Sequence, residues 1–450
     1  MTTSAEPKTP AYIDGWPPLP TQELPPGPRV PSVLQTLAFM RFRGSFLPRL
    51  RRRYGDVFTI RLLPDGRPLV VYSRPDQIRD IFAGDPESFH AGKGNAILGP
   101  IMGEHSVLLL DASQHKRARK LLMPAFSARA LTGYEELIAQ IAKEQVDAWP
   151  VGSTFASLER MNALTLAVII RVVFGVTDER RVAELQPLID NVVTVNPLVL
   201  VGASYPQLEK IGRWKAFHRN QRELDRVLYA EIAERRQVGD LAARTDVLSQ
   251  LLQVGDHEGE NPLTDAELRD QLVTLLLAGH ETTATALAWS LYELGRSRQL
   301  LRRAQAAADS GDGAYLEAVL KESMRRHPVI PIVSRLLMKP AVVGGVSLPA
   351  GAAVAASIEL SHSENFADPQ VFRPERFLEG KVEANTWIPF GGGVRRCIGA
   401  GFSLMEGVTV LREVLTRHDL RAQGADVAKV RNITNVPKHG ARLVVTRRRP

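Results

Sequence analysis

Hydrophobic residues recur every three to four positions along most of the chain beyond Leu121, with only short interruptions. That spacing is typical of amphipathic helices. The clearest stretches are YEELIAQIAKEQVDAW, LTLAVIIRVVFG, HRNQRELDRVLYAEIAERR, RTDVLSQLLQ and DAELRDQLVTLLLAGHETTATALAWSLYEL. A shorter basic amphipathic helix is predicted from Arg41 to about Tyr54. Helix is therefore expected to exceed strand by a wide margin.

Alternating apolar and polar positions occur in only a few places. VFTIRLL (57–63) and PLVVYS (68–73) flank Asp65-Gly66, which predicts a β-hairpin. Short strand-like runs return at 341–358 and at 431–446, where glycine and proline punctuate apolar residues. The pattern as a whole predicts a mainly α protein with small β-sheets.

The N-terminal segment differs in composition from the rest of the chain. Nine of the first 31 residues are proline, which favours an extended, polyproline-like segment over residues 1–31. No repeat of fixed period and no Ser/Gly-rich linker interrupts the remainder. We therefore expect one large domain over residues 32–450.

Composition narrows the function classes. The 450 residues are 44% apolar and 24% charged, and the net charge of +8 is modest for this length, so nucleic acid is not indicated as a partner. A single cysteine excludes an internal disulfide, a Cys₄ zinc site and a four-cysteine iron–sulfur cluster. The N-terminus lacks a signal-peptide pattern, and no run of about 20 apolar residues occurs. A cytoplasmic protein without a transmembrane segment is predicted.

The single cysteine lies in an informative context. In WIPFGGGVRRCIGAGFSLMEGVTVLREVL, a short apolar strand, a glycine-rich loop and a helix beginning near Cys397 are predicted. A helix N-terminus stabilises a thiolate, which can serve as metal ligand or nucleophile. Three consecutive glycines, Gly391 to Gly393, let the backbone approach something flat and bulky.

Three other interpretations of this segment compete with a metal ligand. A lone cysteine is most often an inert core residue. A phosphate-binding loop would need Gly-Lys-Ser/Thr or G-x-G-x-x-G, and neither is present. A nucleophilic cysteine would need a histidine base or a second cysteine, and the closest preceding histidine is His362.

The loop resembles that of the haem-thiolate monooxygenases, the cytochrome P450 superfamily. Their signature Phe-x-x-Gly-x-Arg-x-Cys-x-Gly supplies the thiolate ligand of the iron, and four further landmarks occur in the family's order between about residues 54 and 410. The complete signature stands here as Phe390, Gly393, Arg395, Cys397 and Gly399. The resemblance implies a single large cytochrome P450-type fold that holds haem b through Cys397.

The same resemblance assigns roles in the long helix around residue 280. Ala278 and Gly279 would leave room for dioxygen over the haem, and Glu281 with Thr282 would deliver protons. Taken alone, Glu281 and Thr282 are more often part of an ordinary polar helix face. Their order relative to Cys397 favours the catalytic role.

Two further groups of residues follow from the resemblance. Glu322 and Arg325, which alone would suggest a surface ion pair, would form a buried structural triad with Arg376. Basic side chains would hold the haem propionates. These side chains are His115, Arg119, Arg335 and Arg395.

The implied reaction inserts one oxygen atom of O₂ into a substrate. The chain holds neither a flavin domain nor cysteines for a cluster, so the resemblance implies an external electron donor: a ferredoxin with its ferredoxin reductase, or a flavodoxin. Segments near 90–110, 187–210, 278–286 and 329–336 would line the pocket. Their abundance of Leu, Val, Ile and Pro predicts a lipophilic small-molecule substrate.

Two alternatives to this reaction stay open. One is a haem-binding gas or lipid sensor without turnover, for which Glu281 and Thr282 would have no use. The other is a peroxide-driven oxygenase or a dehydratase-like isomerase, in which this acid–alcohol pair is often altered.

Overall fold

The computed structural model describes residues 15–450 except 64, 176–178, 194–198, 200–209, 240, 242, 258–260, 432 and 449–450. Residues 1–14 of the proline-rich segment, much of the predicted pocket segment 187–210 and Arg449 of the basic tail thus lie outside the described residues. The α-helices are α1 (Ser32–Tyr54), α2 (Pro75–Ala83), α3 (Ala91–Gly94), α4 (Gly99–Met102), α5 (Ala112–Leu122), α6 (Ala128–Asp147), α7 (Ser157–Phe174), α8 (Glu179–Val193), α9 (Gly212–Arg236), α10 (Val247–His257), α11 (Asp265–Arg296), α12 (Arg298–Ser310), α13 (Gly313–Arg326), α14 (Ile358–Glu364) and α15 (Ala400–Arg417).

The strands are short and form small sheets beside the helices. They are β1 (Phe58–Arg61), β2 (Pro68–Tyr72), β3 (Phe89–His90), β4 (Thr154–Ala156), β5 (Ile332–Leu337), β6 (Ala341–Val343), β7 (Val346–Leu348), β8 (Ala353–Ser357), β9 (His418–Ala422), β10 (Ala428–Arg431), β11 (Thr434–Pro437) and β12 (Arg442–Arg447). The mainly α fold class predicted from the pattern is confirmed.

The largest sheet has five strands in the order β1-β2-β8-β5-β3. The predicted hairpin is its first antiparallel pair, with Phe58 opposite Val71 and Arg61 opposite Pro68. β2 continues in parallel with β8, and β5 pairs antiparallel with both β8 and β3. The smaller sheets have the orders β4-β12-β9, β10-β11 and β6-β7.

Helix α11 runs through the main hydrophobic core. It begins at a capping box in which Thr264 accepts a hydrogen bond from the backbone of Glu267 and the Glu267 carboxylate accepts one from the backbone of Thr264. Its chief neighbour is α7, whose Leu164–Phe174 half is almost wholly buried. Thr165 of α7 donates a hydrogen bond to the backbone oxygen of His280 at 3.0 Å. This bond joins the two helices at the point where they cross.

Helix α1 begins nine residues before the predicted start at Arg41. The backbone kinks at Phe42, where the helical dihedrals are interrupted, so that a first helical segment precedes the one that the sequence predicted. The first segment escaped prediction because most of its large apolar residues are exposed and only Phe39 among them faces the core. Within the described residues, no helix combines the length and apolar character that crossing a bilayer requires.

Candidate functional site

The segment before Cys397 is irregular, so the strand predicted at residues 387–390 is wrong. The polar groups of this segment form hydrogen bonds to a side chain and a main-chain oxygen of other segments, in place of the hydrogen bonds to a neighbouring strand. The backbone N–H of Ile388 donates to Nε2 of His362 at 2.9 Å, and the indole of Trp387 donates to the Lys321 oxygen. Helix α15 begins only at Ala400, three residues after the cysteine.

The glycine-rich loop folds tightly over helix α2. Gly391 and Gly393 have φ values of +65° and +64°, which side-chain-bearing residues rarely adopt. A Cβ atom at Gly392 would lie 2.1 Å from the Phe82 ring, and one at Gly393 would lie 2.0 Å from the Phe82 oxygen. Two of the three glycines thus make room for Phe82, which the sequence alone did not identify.

The loop presents Cys397 to an interior space. Its backbone N–H donates to the Phe390 oxygen at 2.9 Å. Cys397 lies deep among protein atoms, yet much of its own surface is accessible. The residue therefore borders a space inside the protein. Burial raises the pKa of the Cys397 thiol above its usual value, and the N–H of Gly399 and the charge of Arg396 lower it in part. The protein alone therefore favours the thiol, and a bound metal cation would favour the thiolate.

A buried cationic cluster lies near the cysteine loop. Burial lowers the pKa of His115 to about 3, and three neighbouring guanidinium groups act in the same direction. They belong to Arg119, Arg335 and Arg395. Burial also lowers the pKa of Arg335 to about 10, with Asp111 opposing that shift. Gathering positive charges in the interior is costly, so this cluster is suited to receive anionic groups.

Asp111 ties the cysteine loop to the start of α5. The guanidinium of Arg395 donates to the Asp111 carboxylate at 2.7 Å and to the oxygens of Val107 and Leu110. The same carboxylate accepts from the backbone of Gly92 at 2.8 Å. Asp111 was not predicted as a site residue; its place shortly before the basic run HKRARK was the only sequence signal for it.

Helix α11 presents two residues to the interior space. Ala278 is exposed in the middle of an otherwise buried helix, and Thr282, one turn later, is partly exposed and donates to the Ala278 oxygen at 2.8 Å. Gly279 points elsewhere, because a Cβ atom there would lie 2.8 Å from Ile169 of α7. The missing side chain at Gly279 thus serves the contact between two helices.

Glu281 faces away from Thr282, toward the β10–β11 hairpin. Its Oε1 lies 3.2 Å from Nε of Arg431, and the Thr434 hydroxyl lies 3.5 Å from the same oxygen. Burial raises the pKa of Glu281, whereas Arg431 and Thr434 lower it. The partner Arg431, 150 positions further along the chain, carries no sequence signal.

The structure brings Glu322, Arg325 and Arg376 together in the interior. Arg325 forms two hydrogen bonds to Glu322, of 2.7 and 2.9 Å, and Nε of Arg376 lies 3.2 Å from Glu322 Oε1. Glu322 also accepts from the backbone of Arg373 at 2.8 Å. Because Arg325 further donates to main-chain oxygens at Pro369 and elsewhere, the triad fastens α13 to the segment that leads toward the cysteine loop.

These features fit a haem. A thiol on an interior wall supplies an iron ligand. Arg335 and Arg395 line one cleft together with the neutral imidazole of His115 and the Asp111 carboxylate that accepts from Arg395, and the N–H groups of the three basic side chains can donate to propionates. Ala278 leaves a gap in the packing of α11 that a flat group could occupy.

Comparisons with known proteins agree with this site. The family model described as Cytochrome P450 matches residues 24–441. Cytochrome P450 135A1 of Mycobacterium tuberculosis is 53% identical over 428 residues, covering 94% of this chain and 95% of the relative. Cytochrome P450 135B1 of Mycobacterium bovis is 40% identical over 432 residues, covering 94% and 91%.

The fold is similar to that of a solved structure. Cyanobacterial CYP120A1 with bound retinoic acid superimposes with a TM-score of 0.79, covering 92% of this chain and 96% of that chain. At 24% identity this match concerns the fold alone.

Proposed function

The chain belongs to the cytochrome P450 family of haem monooxygenases, and from this premise we propose that it inserts one oxygen atom of O₂ into a lipophilic small molecule. The observation that carries the proposal is the exposed thiol of Cys397 on an interior wall, beside a buried cationic cluster. An external ferredoxin with its ferredoxin reductase, or a flavodoxin, supplies two electrons. The protein acts in the cytoplasm, and residues 32–450 form the catalytic domain.

The cofactor of the proposal is haem b. When bound, it supplies the iron at which dioxygen is reduced and cleaved. Cys397 ligates the iron, and Phe390, Gly393 and Gly399 shape the loop around it. The propionates are held by the basic cluster of His115, Arg119, Arg335 and Arg395, of which Arg395 keeps its contacts to Asp111 and contributes charge.

Thr282 is the catalytic residue that would hold a proton at the site where the haem, when bound, supplies the chemistry of oxygen reduction. Its hydroxyl lies where α11 is open to the interior, and Ala278 leaves space for the reacting molecules. Because Gly279 has no side chain, α11 packs closely against α7 beside that space. Glu281 replenishes protons from the Arg431 side, since its carboxylate connects the helix to the hairpin nearer the surface.

The triad Glu322, Arg325 and Arg376 is structural. A buried carboxylate with two guanidinium partners is stable only while each group stays paired. The triad therefore holds the chain that leads to Cys397 in one conformation, and it takes no part in the chemistry.

Electron transfer requires a docking face for an acidic donor. Lys116, Lys120 and Arg396 are exposed, and the charge of Arg396 acts on the Cys397 thiol. We place the docking face here because complementary charge steers association. Arg117 does not belong to this face, because it donates to Glu267 of α11 at 2.6 Å.

The substrate is lipophilic because the described pocket segments offer mainly apolar side chains. Val329, Ile330 and Val333 are partly buried before and within β5, and Leu109 and Leu277 are partly buried in two of the other segments. Side chains of this kind bind a ligand by apolar contact.

A two-step experiment tests the proposal. Lipophilic compounds are first screened for the change in visible absorption that binding near the iron causes. The tightest binder is then incubated with holoprotein, ferredoxin, reductase and isotopically labelled dioxygen. One labelled oxygen atom in the product is expected; binding without reductant consumption, for every binder and donor tried, would contradict turnover and favour a haem sensor.

A further inference from the structure

The first segment of α1 exposes an apolar face. Val33, Leu34, Leu37 and Met40 follow one another at helical spacing and are all exposed, Leu34 to 53% and Leu37 to 58%. Residues three and four apart lie on one side of a helix, so these four side chains form a continuous stripe. Exposed Val30 and Phe42 extend it at either end. We call these six residues the α1 apolar face.

The inward side of the same segment carries well-bonded polar side chains beside the buried Phe39. Gln35 is only 1% exposed; its amide donates to the Val30 oxygen at 2.8 Å and accepts from the backbone of Arg61 at 2.9 Å. The Thr36 hydroxyl accepts from the backbone of Leu63 at 2.9 Å. The usual amphipathic arrangement is thus largely reversed: polar side chains attach the helix to the sheet, Phe39 is the one large apolar side chain of the segment that is buried, and the others point outward.

The charge around the face is predominantly positive. Residues 15–63 contain eight arginines and two acidic residues, and α1 itself contains no acidic residue. Arg29 and Arg41 are exposed beside the stripe. Asp56, one of the two acids, is already paired with Arg51 at 2.7 Å. An occupant of the face must therefore offer an apolar interior and negative charge.

We propose that the α1 apolar face docks on the surface of an anionic lipid bilayer. A bilayer presents acyl chains to the stripe and negatively charged headgroups to the flanking arginines. A second copy of the chain fits less well, because two such faces would bring like charges together. The segment from Ser32 to the kink at Phe42 is far too short to span a bilayer, so the helix lies in the interface.

Flotation with lipid vesicles tests the proposal. Full-length holoprotein is mixed with vesicles of phosphatidylcholine alone or of phosphatidylcholine and phosphatidylglycerol at a three-to-one ratio, at low and high salt. Binding to the anionic vesicles is expected, with weaker binding at high salt and to neutral vesicles. The double variant Leu34→Ser/Leu37→Ser should weaken binding about tenfold or more, because two buried leucines are lost.

A matched control removes apolar surface elsewhere. Val342 and Val371 are exposed to 64% and 53%, and the double variant Val342→Ser/Val371→Ser should bind vesicles like wild type. Thermal melting of both double variants should match wild type, since all four residues lie on the surface. Failure of the wild type to float with anionic vesicles, or equal flotation of the Leu34/Leu37 variant, overturns the proposal. A concentration-dependent dimer that the same variant abolishes, without vesicle binding, would assign the face to a second copy instead.

Discussion

The Glu281 carboxylate lies 3.2 Å from the guanidinium Nε of Arg431, while the next residue, Thr282, hydrogen-bonds within its own helix. Successive residues of a helix point about 100° apart, so the two polar groups serve different surroundings. Thr282 adjoins the interior space, and Glu281 is joined to the β10–β11 hairpin. The proposed proton route through Glu281 therefore involves Arg431, a residue far along the sequence.

Arg431→Gln should change the pH dependence of coupling. Burial raises the pKa of Glu281 and Arg431 lowers it, so loss of the guanidinium raises that pKa further. The carboxylate form then persists only at higher pH, and the acid limb of product formed per reductant consumed should move upward in pH. Arg421→Gln, an exposed arginine on β9, is the control and should keep the wild-type profile. An unmoved profile for Arg431→Gln would remove Glu281 from the proton route.

Thr282→Ala should separate oxygen activation from binding. The variant should bind haem, carbon monoxide and the best ligand as wild type does, because none of these needs a proton donor. Product formation should fall by about 10²–10⁴-fold, with hydrogen peroxide released in its place. Thr282→Ser, which keeps the hydroxyl, should recover much of the product. Product, peroxide and reductant are measured together, and wild-type coupling in Thr282→Ala would refute the assigned role.

Glu322→Ala should destabilise the fold. It leaves Arg325 and Arg376 without their shared carboxylate in the interior, at a cost of about 3–5 kcal/mol. The control is Glu223→Ala, which breaks an exposed Glu–Arg pair of the same spacing with Arg226 and should change stability little. Denaturant unfolding and haem content give the readout. Equal effects of the two substitutions would show that the triad is no more than a surface pair.

Charge reversal on the proposed docking face should slow reduction. Lys116→Glu/Lys120→Glu should lower the rate of reduction by an acidic ferredoxin about tenfold at low salt. The difference should shrink near physiological salt, where the Debye length is about 8 Å. Lys339→Glu, after β5, should leave the rate unchanged. Rates that respond neither to these charges nor to salt would place the docking face elsewhere.

The sequence predicted the elements whose periodicity agrees with burial. The β1–β2 hairpin and helices α6, α7, α9, α10 and α11 were predicted in the right places, because apolar residues there face the core, although α6, α7 and α9 begin six or seven residues earlier than predicted. The start of α1 was missed because Gln35 is buried and Leu37 is exposed, the reverse of the usual pattern. The supposed strand before Cys397 failed because its backbone donor at residue 388 bonds to His362.

The residues of the candidate site could be predicted from the sequence where they lie within a local motif. The loop signature located Cys397, and the order of motifs located Thr282 and Glu322. What the sequence did not reveal are contacts between distant segments: Phe82 against the glycines, Arg431 with Glu281, and Asp111 with Arg395. Each depends on the folded chain and on no local pattern.

The absorption spectrum of reduced protein under carbon monoxide tests the ligand of the iron most directly. Wild-type holoprotein should show the far red-shifted Soret band of thiolate ligation. Cys397→His should lose that band while haem content, measured separately, shows that the cofactor is still bound. A thiolate band that persists in Cys397→His, or is missing from haem-loaded wild type, would contradict the assignment of Cys397 as the iron ligand.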